Sequence, residues 1–145
     1  MSWAESLIKL ANYELEALQK RVAEVARRRV QAEMALALLE ATAEAESDYA
    51  KSNPEASLYH ADFLAGMRQR KADALVQLGR IEVEEAGARD ALAEAFEVQK
   101  KYELVAQNQR LAHARELARR ENAELDEIGL RAARSQGPKA GPSLR

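Results

Sequence analysis

The sequence of 145 residues contains no cysteine, only three prolines and six glycines, and aromatic residues make up 5% of it. The absence of cysteine excludes disulfides and thiolate metal sites. Proline and glycine are the residues that most often interrupt helices, so their scarcity favours long ones. No stretch is apolar for long enough to cross a bilayer, and the first residues do not have the pattern of a signal peptide. These absences predict a cytoplasmic protein without redox chemistry.

Helix-forming residues dominate what is present, with 47% hydrophobic and 32% charged residues. Such a composition is typical of long helices, and the length allows one domain. Lys plus Arg number 22 against 24 Asp plus Glu, which gives a net charge of −2. This balance provides no general attraction to nucleic acid or to anionic lipid, so we expect partners to be recognised locally.

A heptad repeat runs through the first half of the chain. Ser2 and Glu5 have the spacing of a capping box, which predicts a helix that begins near residue 3. Ten of eleven positions spaced alternately by three and four residues are apolar, namely all except Arg29 in the series Ile8, Ala11, Leu15, Leu18, Val22, Val25, Arg29, Ala32, Leu36, Leu39 and Ala43. A repeat held this long predicts a coiled-coil seam, with a partner either in the same chain or in a second copy.

Pro54 interrupts the pattern, because proline lacks the backbone donor of a helix interior but fits a helix's first turn. We therefore predict an all-α fold, a long two-helix antiparallel coiled-coil hairpin whose second helix is longer than the first. The predicted helices span about 3–52 and about 58–134 with a turn at about 53–57, in a single domain over 1–134. A Gly- and Pro-containing stretch over 135–145 is predicted to be a disordered tail.

The second helix carries a weaker seam. Its predicted positions are Leu64, Met67, Lys71, Ala74, Leu78, Ile81, Glu85, Ala88 and Leu92. Past Leu92 the large apolar residues fall at Phe96, Leu104, Leu111, Ala118 and Leu125, which predicts a shift of the heptad register.

The turn position predicts which residues face each other across the hairpin, because facing residue numbers should sum to about 109. In that register the triplet Arg27–Arg29 faces Glu82, Glu84 and Glu85, and Glu40 faces Arg68 and Arg70. Opposite charges then meet along the seam, which favours pairing within one chain. A stretch of the second helix over 105–134 is left without an intramolecular partner, and its apolar stripe of Leu111, Ala114, Ala118, Leu125 and Ile128 predicts a binding surface.

The sequence offers no pattern for catalysis, metal or a cofactor. His60 and His113 lack the spacing that places two metal ligands on one helical face. The acidic run at 82–85 is expected to be a solvated face without the shifted acidities of acid and base catalysis. Arg27–Arg29 point around the helix without interleaved aromatics, so salt bridging is favoured over nucleic-acid binding. We expect a protein that is not an enzyme.

The few aromatic residues gather around the turn, at Tyr49, Tyr59 and Phe63. They either seal the end of the hairpin or form a partner-binding tip together with Met67, and both roles are compatible.

Four parts of the sequence have the pattern of a known family, namely Tyr49, the stretch 59–67 with its Tyr-His-Ala-Asp-Phe-Leu-Ala-Gly-Met sequence, the stretch 119–128 and the run Arg131–Arg134. Through them the chain resembles the FliJ family of flagellar type III export proteins over nearly its whole length. The chain departs from the family pattern at Ala45, where a further aromatic is expected, and at Arg70, which replaces a small residue.

The resemblance implies a central stalk of the flagellar export apparatus. Such a stalk is expected to insert its free helix ends into the hexameric export ATPase FliI, to contact the export gate protein FlhA, and to cycle the export chaperones FlgN and FliT, lying at the inner membrane only through these partners. The implied gate-binding residues are Tyr49, Phe63 and Met67. The residues expected to face the ATPase ring are Ile8, Leu111, Ala118, Leu125, Ile128 and Arg131.

Three other hypotheses remain open. An injectisome stalk of the related secretion systems and a generic coiled-coil adaptor would have much the same sequence. A membrane-surface helical protein would need a basic amphipathic segment, for which Trp3 to Leu18 is the candidate.

Overall fold

A computed structural model describes residues 2–136, and within them only Ser2, Asn53 and Gln136 lie outside two α-helices. Helix α1 spans Trp3–Ser52 and helix α2 spans Pro54–Ser135. The predicted all-α, two-helix hairpin with a longer second helix is confirmed.

The capping box at the start of α1 is present. The backbone nitrogen of Glu5 donates to Ser2 Oγ at 3.2 Å, and the backbone nitrogen of Ser2 donates to Glu5 Oε2 at 3.3 Å. Two of the orphan donors of the first helical turn are thereby satisfied, which is why α1 begins at Trp3.

A single residue, Asn53, separates the helices. Its backbone nitrogen and its side-chain Nδ2 both donate to the carbonyl of Tyr49, at 3.1 and 3.3 Å. Helix α2 begins at Pro54 and not near residue 58, because proline suits the first helical position and the backbone nitrogen of Ser57 already donates to the carbonyl of Asn53 at 3.2 Å.

The chain divides into two compact units. Unit 1 combines Met1–Leu7 with Lys100–Arg145, and unit 2 is Ile8–Gln99. The expectation of one domain over 1–134 stays a prediction. Ser135 is the last residue of α2, and the predicted disordered tail from residue 137 onward lies outside the described residues.

The seam of α1 is confirmed, since none of its eleven predicted positions is exposed. Ala11, Leu15 and Val25 are buried, and Val25 is 0% exposed. In α2, eight of the nine predicted seam positions are likewise covered, the exception being Lys71. Burial of these stripes accounts for the pairing of the two helices.

The predicted register shift past Leu92 is wrong. Covered positions continue with the same alternating spacing, at Ala95 and Gln99 in unit 2 and at Tyr102, Ala106 and Gln109 in unit 1. Phe96 and Leu104, on which the expected shift depended, are exposed. Small and polar residues keep the heptad period here, because a supercoil fixes which positions face the partner whatever their size.

Ion pairs join the helices of unit 2 in antiparallel order. Arg28 Nη1 lies 2.9 Å from Glu84 Oε1, and Arg29 Nε lies 2.5 Å from Glu85 Oε2, as the basic triplet predicted. Glu40, which was predicted to face Arg68 and Arg70, forms its ion pair with the neighbouring Lys71, its Oε1 lying 3.3 Å from Lys71 Nζ. Arg68 lines the same groove as Glu40.

Candidate partner-binding surfaces

The three predicted gate-binding residues lie at the turn end of unit 2 and differ in solvent exposure. Tyr49 is 57% exposed, Phe63 is half-buried, and Met67 is only 6% exposed. The position of Tyr49 is fixed by the turn, because its carbonyl accepts two hydrogen bonds from Asn53. Its side chain is exposed. Of the three residues, only Tyr49 therefore offers a large free surface.

Phe63 and His60 pack together beneath this end of the hairpin. Their ring centroids lie 6.4 Å apart at an interplanar angle of 20°, and His60 Nε2 lies 3.5 Å from Ser47 Oγ on α1. This packing is what a seal for the turn requires. Tyr59 and Leu58 are exposed nearby, so part of the aromatic cluster remains available to a partner.

Met67 lies at the floor of a groove of about 490 Å³ between the helices of unit 2. The groove is lined by Leu39, Glu40, Ala43, Leu64, Met67, Arg68 and Lys71. Apolar and charged side chains both line the groove, and the small exposed part of Met67 contributes to its surface.

The acidic run of α2 is only in part the solvated face that the sequence predicted, because Glu82 is exposed but Glu85 is buried. Arg89 Nη2 and Arg29 Nε lie 2.7 and 2.5 Å from its two oxygens. Hydrogen bonds from Arg89 and then Arg29 hold the pKa of the Glu85 carboxyl below its ordinary value of 4.5. Hydrogen bonds to Glu33 and Glu85 raise the pKa of Arg29 above its usual value. Both groups therefore keep their charges at neutral pH, which suits an ion pair and not a proton-transfer group.

The far end of α2, in unit 1, is almost uncovered. From Arg110 to Ser135 every residue except Glu116 is exposed. Ion pairs along the helix surface contribute to its stability, with Arg131 Nη2 lying 2.8 Å from Glu127 Oε1 and Arg120 Nε lying 3.4 Å from Glu116 Oε1. Each such pair contributes about 0.2–0.5 kcal/mol to an isolated helix.

Exposed apolar residues line this segment. We call Leu111, Ala118, Leu125 and Ile128 the distal stripe, and all four are exposed, Leu125 to 64%. Arg131 is exposed beside them, whereas Ile8 is half-buried in unit 2. The structure thus exposes five of the six residues predicted to face the ATPase ring.

Within residues 2–136, no three His, Cys, Asp or Glu side chains lie close enough together to hold a metal ion. In the same part of the chain, neither helix has a stretch that is apolar enough to span a bilayer.

Curated relatives of this chain carry a flagellar name. The chain is 48% identical over 131 residues to the Flagellar FliJ protein of Caulobacter vibrioides strain NA1000 / CB15N, an alignment that covers 90% of this chain and 94% of the relative. The protein of the same name from strain ATCC 19089 / CIP 103742 / CB 15 gives the same identity and the same coverage. This chain belongs to the FliJ family.

Membership of the FliJ family confirms the predicted family and supports a component of the flagellar export apparatus. No family model matches the chain, and no solved structure matches it. Sequence reasoning on this FliJ-family chain overlooked two further exposed leucines, Leu117 and Leu130, in the stretch of α2 over 110–135 that we call the distal segment. They lie off the heptad spacing of the distal stripe, and a count of all large apolar residues beyond Gln109 would have found them.

Proposed function

We propose that this FliJ-family chain is a cytoplasmic central stalk of the flagellar type III export apparatus. In this role it couples the hexameric export ATPase FliI to the export gate protein FlhA and cycles the export chaperones FlgN and FliT. The observation that carries the proposal is the exposed distal stripe on a helix end that has almost no intramolecular cover.

The distal stripe supports the ATPase contact. Leu111, Ala118 and Leu125 recur every seven residues, so they follow one side of the helix, and Ile128 extends that side. Contiguous apolar surface on a polar helix is typical of a surface that becomes covered by a partner. Arg131 adds a cation, which places a charged group at the rim of the apolar contact.

The turn end of unit 2 supports the gate contact. Tyr49 gives an exposed aromatic anchor of the kind that dominates interfaces. The gate protein would contact Met67 through the groove that Met67 lines. Phe63, packed against His60, would stabilise the shape of the turn. The flagellar name of the relatives favours the flagellar over the injectisome system.

Co-sedimentation with the purified ATPase tests the motor contact. The variant L111D/L125D places two carboxylates on the distal stripe and is expected to lower ATPase binding at least tenfold, because an interface cannot bury unpaired charges. The matched control L38D/L75D changes two exposed leucines of unit 2 in the same way and is expected to bind normally. Equal binding by both variants would argue against the stripe as the contact.

A second binding experiment tests the gate contact. Tyr49→Ala removes the exposed ring and is expected to weaken binding to the cytoplasmic part of FlhA about tenfold. Tyr13→Ala is the matched control, because Tyr13 is also an exposed tyrosine of α1 in unit 2. Loss of binding by the control alone would contradict the assignment.

A further inference from the structure

Two opposite charges meet inside the seam of unit 2. Arg29 is the charged member of the α1 seam, and Glu85 occupies a seam position of α2. Arg29 Nε lies 2.5 Å from Glu85 Oε2, and 8% of the Glu85 side chain is exposed. A carboxylate covered to this extent is tolerated only when cations satisfy it.

Hydrogen bonds from both helices satisfy this carboxylate. Arg89, on the same helix as Glu85, donates from Nη2 to Glu85 Oε1 at 2.7 Å, and Arg29 donates in turn from Nη1 to Glu33 at 2.9 Å. No buried side-chain nitrogen or oxygen in the described part of the chain lacks a hydrogen-bond partner. The present pairing of the helices therefore leaves none of these charges uncompensated.

An apolar heptad seam does not select a register by itself. If one helix is displaced by seven residues, apolar positions meet apolar positions again. Val22 and Leu36 stand seven residues before and after Arg29. Either displacement would put hydrocarbon opposite Glu85 in place of the Arg29 guanidinium, and removing one of the two cations that satisfy a buried carboxylate is destabilising.

Glu84, at the edge of the seam, also favours the observed register of the two helices. Its Oε1 lies 2.6 Å from Arg21 Nη2 and 2.9 Å from Arg28 Nη1, and these two arginines are one heptad apart on α1. A displacement by seven residues would replace one of them by Glu14 in one direction and by Ala35 in the other. Only the observed register gives Glu84 two cations.

We propose that the Arg29–Glu85 pair and the two arginines on Glu84 form a register lock. The apolar seam supplies the stability of the pairing, while the lock selects one register among those that the seam permits. The lock also acts against pairing of α1 with α1 of a second copy, which would place Arg29 against an apolar residue or against another Arg29. Its role goes beyond the proposed coupling function.

The cysteine-free sequence allows cross-linking to report the register directly. Gln99 donates a hydrogen bond to Asn12 across the helices, so N12C/Q99C is a native pair. Q19C/Q99C is a displaced pair, which comes together only after a shift of seven residues. We compare both pairs in the parent chain and in R29L/E85L, using disulfide formation under mild oxidation.

In the parent chain the native pair should cross-link and the displaced pair should not. In R29L/E85L the displaced pair is expected to cross-link about tenfold more, because leucine at both positions makes the displaced register as apolar as the native one. Unchanged cross-linking of the displaced pair would overturn the proposal, since the one-residue turn at Asn53 would then fix the register alone.

A second cross-helix ion pair provides the control. E40L/K71L removes the contact of 3.3 Å between Glu40 and Lys71, which lies outside the lock. It should leave the displaced pair as unreactive as in the parent chain, and an increase equal to that of R29L/E85L would overturn the proposal.

Circular dichroism at 222 nm verifies that the variants remain helical. Replacing a buried ion pair by apolar residues of similar size is commonly neutral or stabilising. If R29L/E85L nevertheless loses helix, R29M/E85M takes its place in the same measurement, because methionine adapts to irregular gaps.

Discussion

Arg29 and Glu85 face each other from opposite helices, with Arg29 Nε donating to Glu85 Oε2 over 2.5 Å. Because hydrogen bonds from Arg89 and then from Arg29 hold the pKa of Glu85 below 4.5, the ionised carboxylate stabilises the folded chain. A group whose pKa is lowered by folding contributes fully above its unfolded value, and its contribution is lost as the pH falls through the folded value.

The first prediction concerns the pH dependence of stability. Glu85→Gln should lower the melting temperature by a few degrees at pH 7, because the charge-assisted bonds to two arginines are lost. The difference from the parent chain should stay constant down to about pH 5 and shrink below the ordinary pKa of 4.5, because the unfolded parent chain then takes up a proton at Glu85 while the folded chain still holds the carboxylate. Thermal melts followed at 222 nm between pH 7 and pH 3 measure it.

Glu121→Gln provides the control for that series, since Glu121 is exposed on the distal segment. Its melting temperature should match that of the parent at every pH. A gap for Glu85→Gln that widens as the pH falls would contradict the assigned direction of the pKa shift.

The second prediction compares the same substitution inside and outside the seam. Val25 is 0% exposed, and Val25→Ala removes two methyl groups from the core, at a cost of about 2 kcal/mol in the free energy of unfolding. Val83 is 73% exposed, so Val83→Ala should change that free energy by less than about 0.5 kcal/mol. Urea denaturation measures both, and equal losses would show that Val25 does not lie in the seam.

The seam was predictable because a heptad signal depends on spacing, and the residues from Ile8 to Ala43 keep it with large apolar side chains. Past Leu92 the same spacing is kept by Ala95, Gln99 and Tyr102, whose size and polarity concealed it. Following apolar size instead of period moved the expected register onto Phe96, which lies outside the seam.

The candidate surfaces were only partly predictable. The distal stripe follows from the sequence because a helix beyond the reach of its partner must expose its apolar residues, as Leu111 and Leu125 do. Which residues are buried at the turn could not be predicted from the sequence in the same way. Tyr49 and Met67 are both apolar enough to be buried or to bind, and only the pairing of the helices decides that Met67 is covered.

The third prediction concerns the uncovered segment. Amides over 110–135 should exchange with solvent at least tenfold faster than those around Val25, because few tertiary contacts stabilise that part of α2 against local opening. Hydrogen exchange followed by mass spectrometry on the isolated chain measures the difference. Equal protection of both segments would mean that a second copy covers the distal stripe in solution.

The coupling role is tested most directly by the rate of ATP hydrolysis by the flagellar export ATPase with the full chain and with a chain lacking residues 111–145. The deletion removes the distal stripe and is expected to leave unit 2 helical, which circular dichroism verifies. The proposed stalk predicts that the full chain raises the hydrolysis rate and that the shortened chain does not. Equal stimulation by the two chains would contradict it.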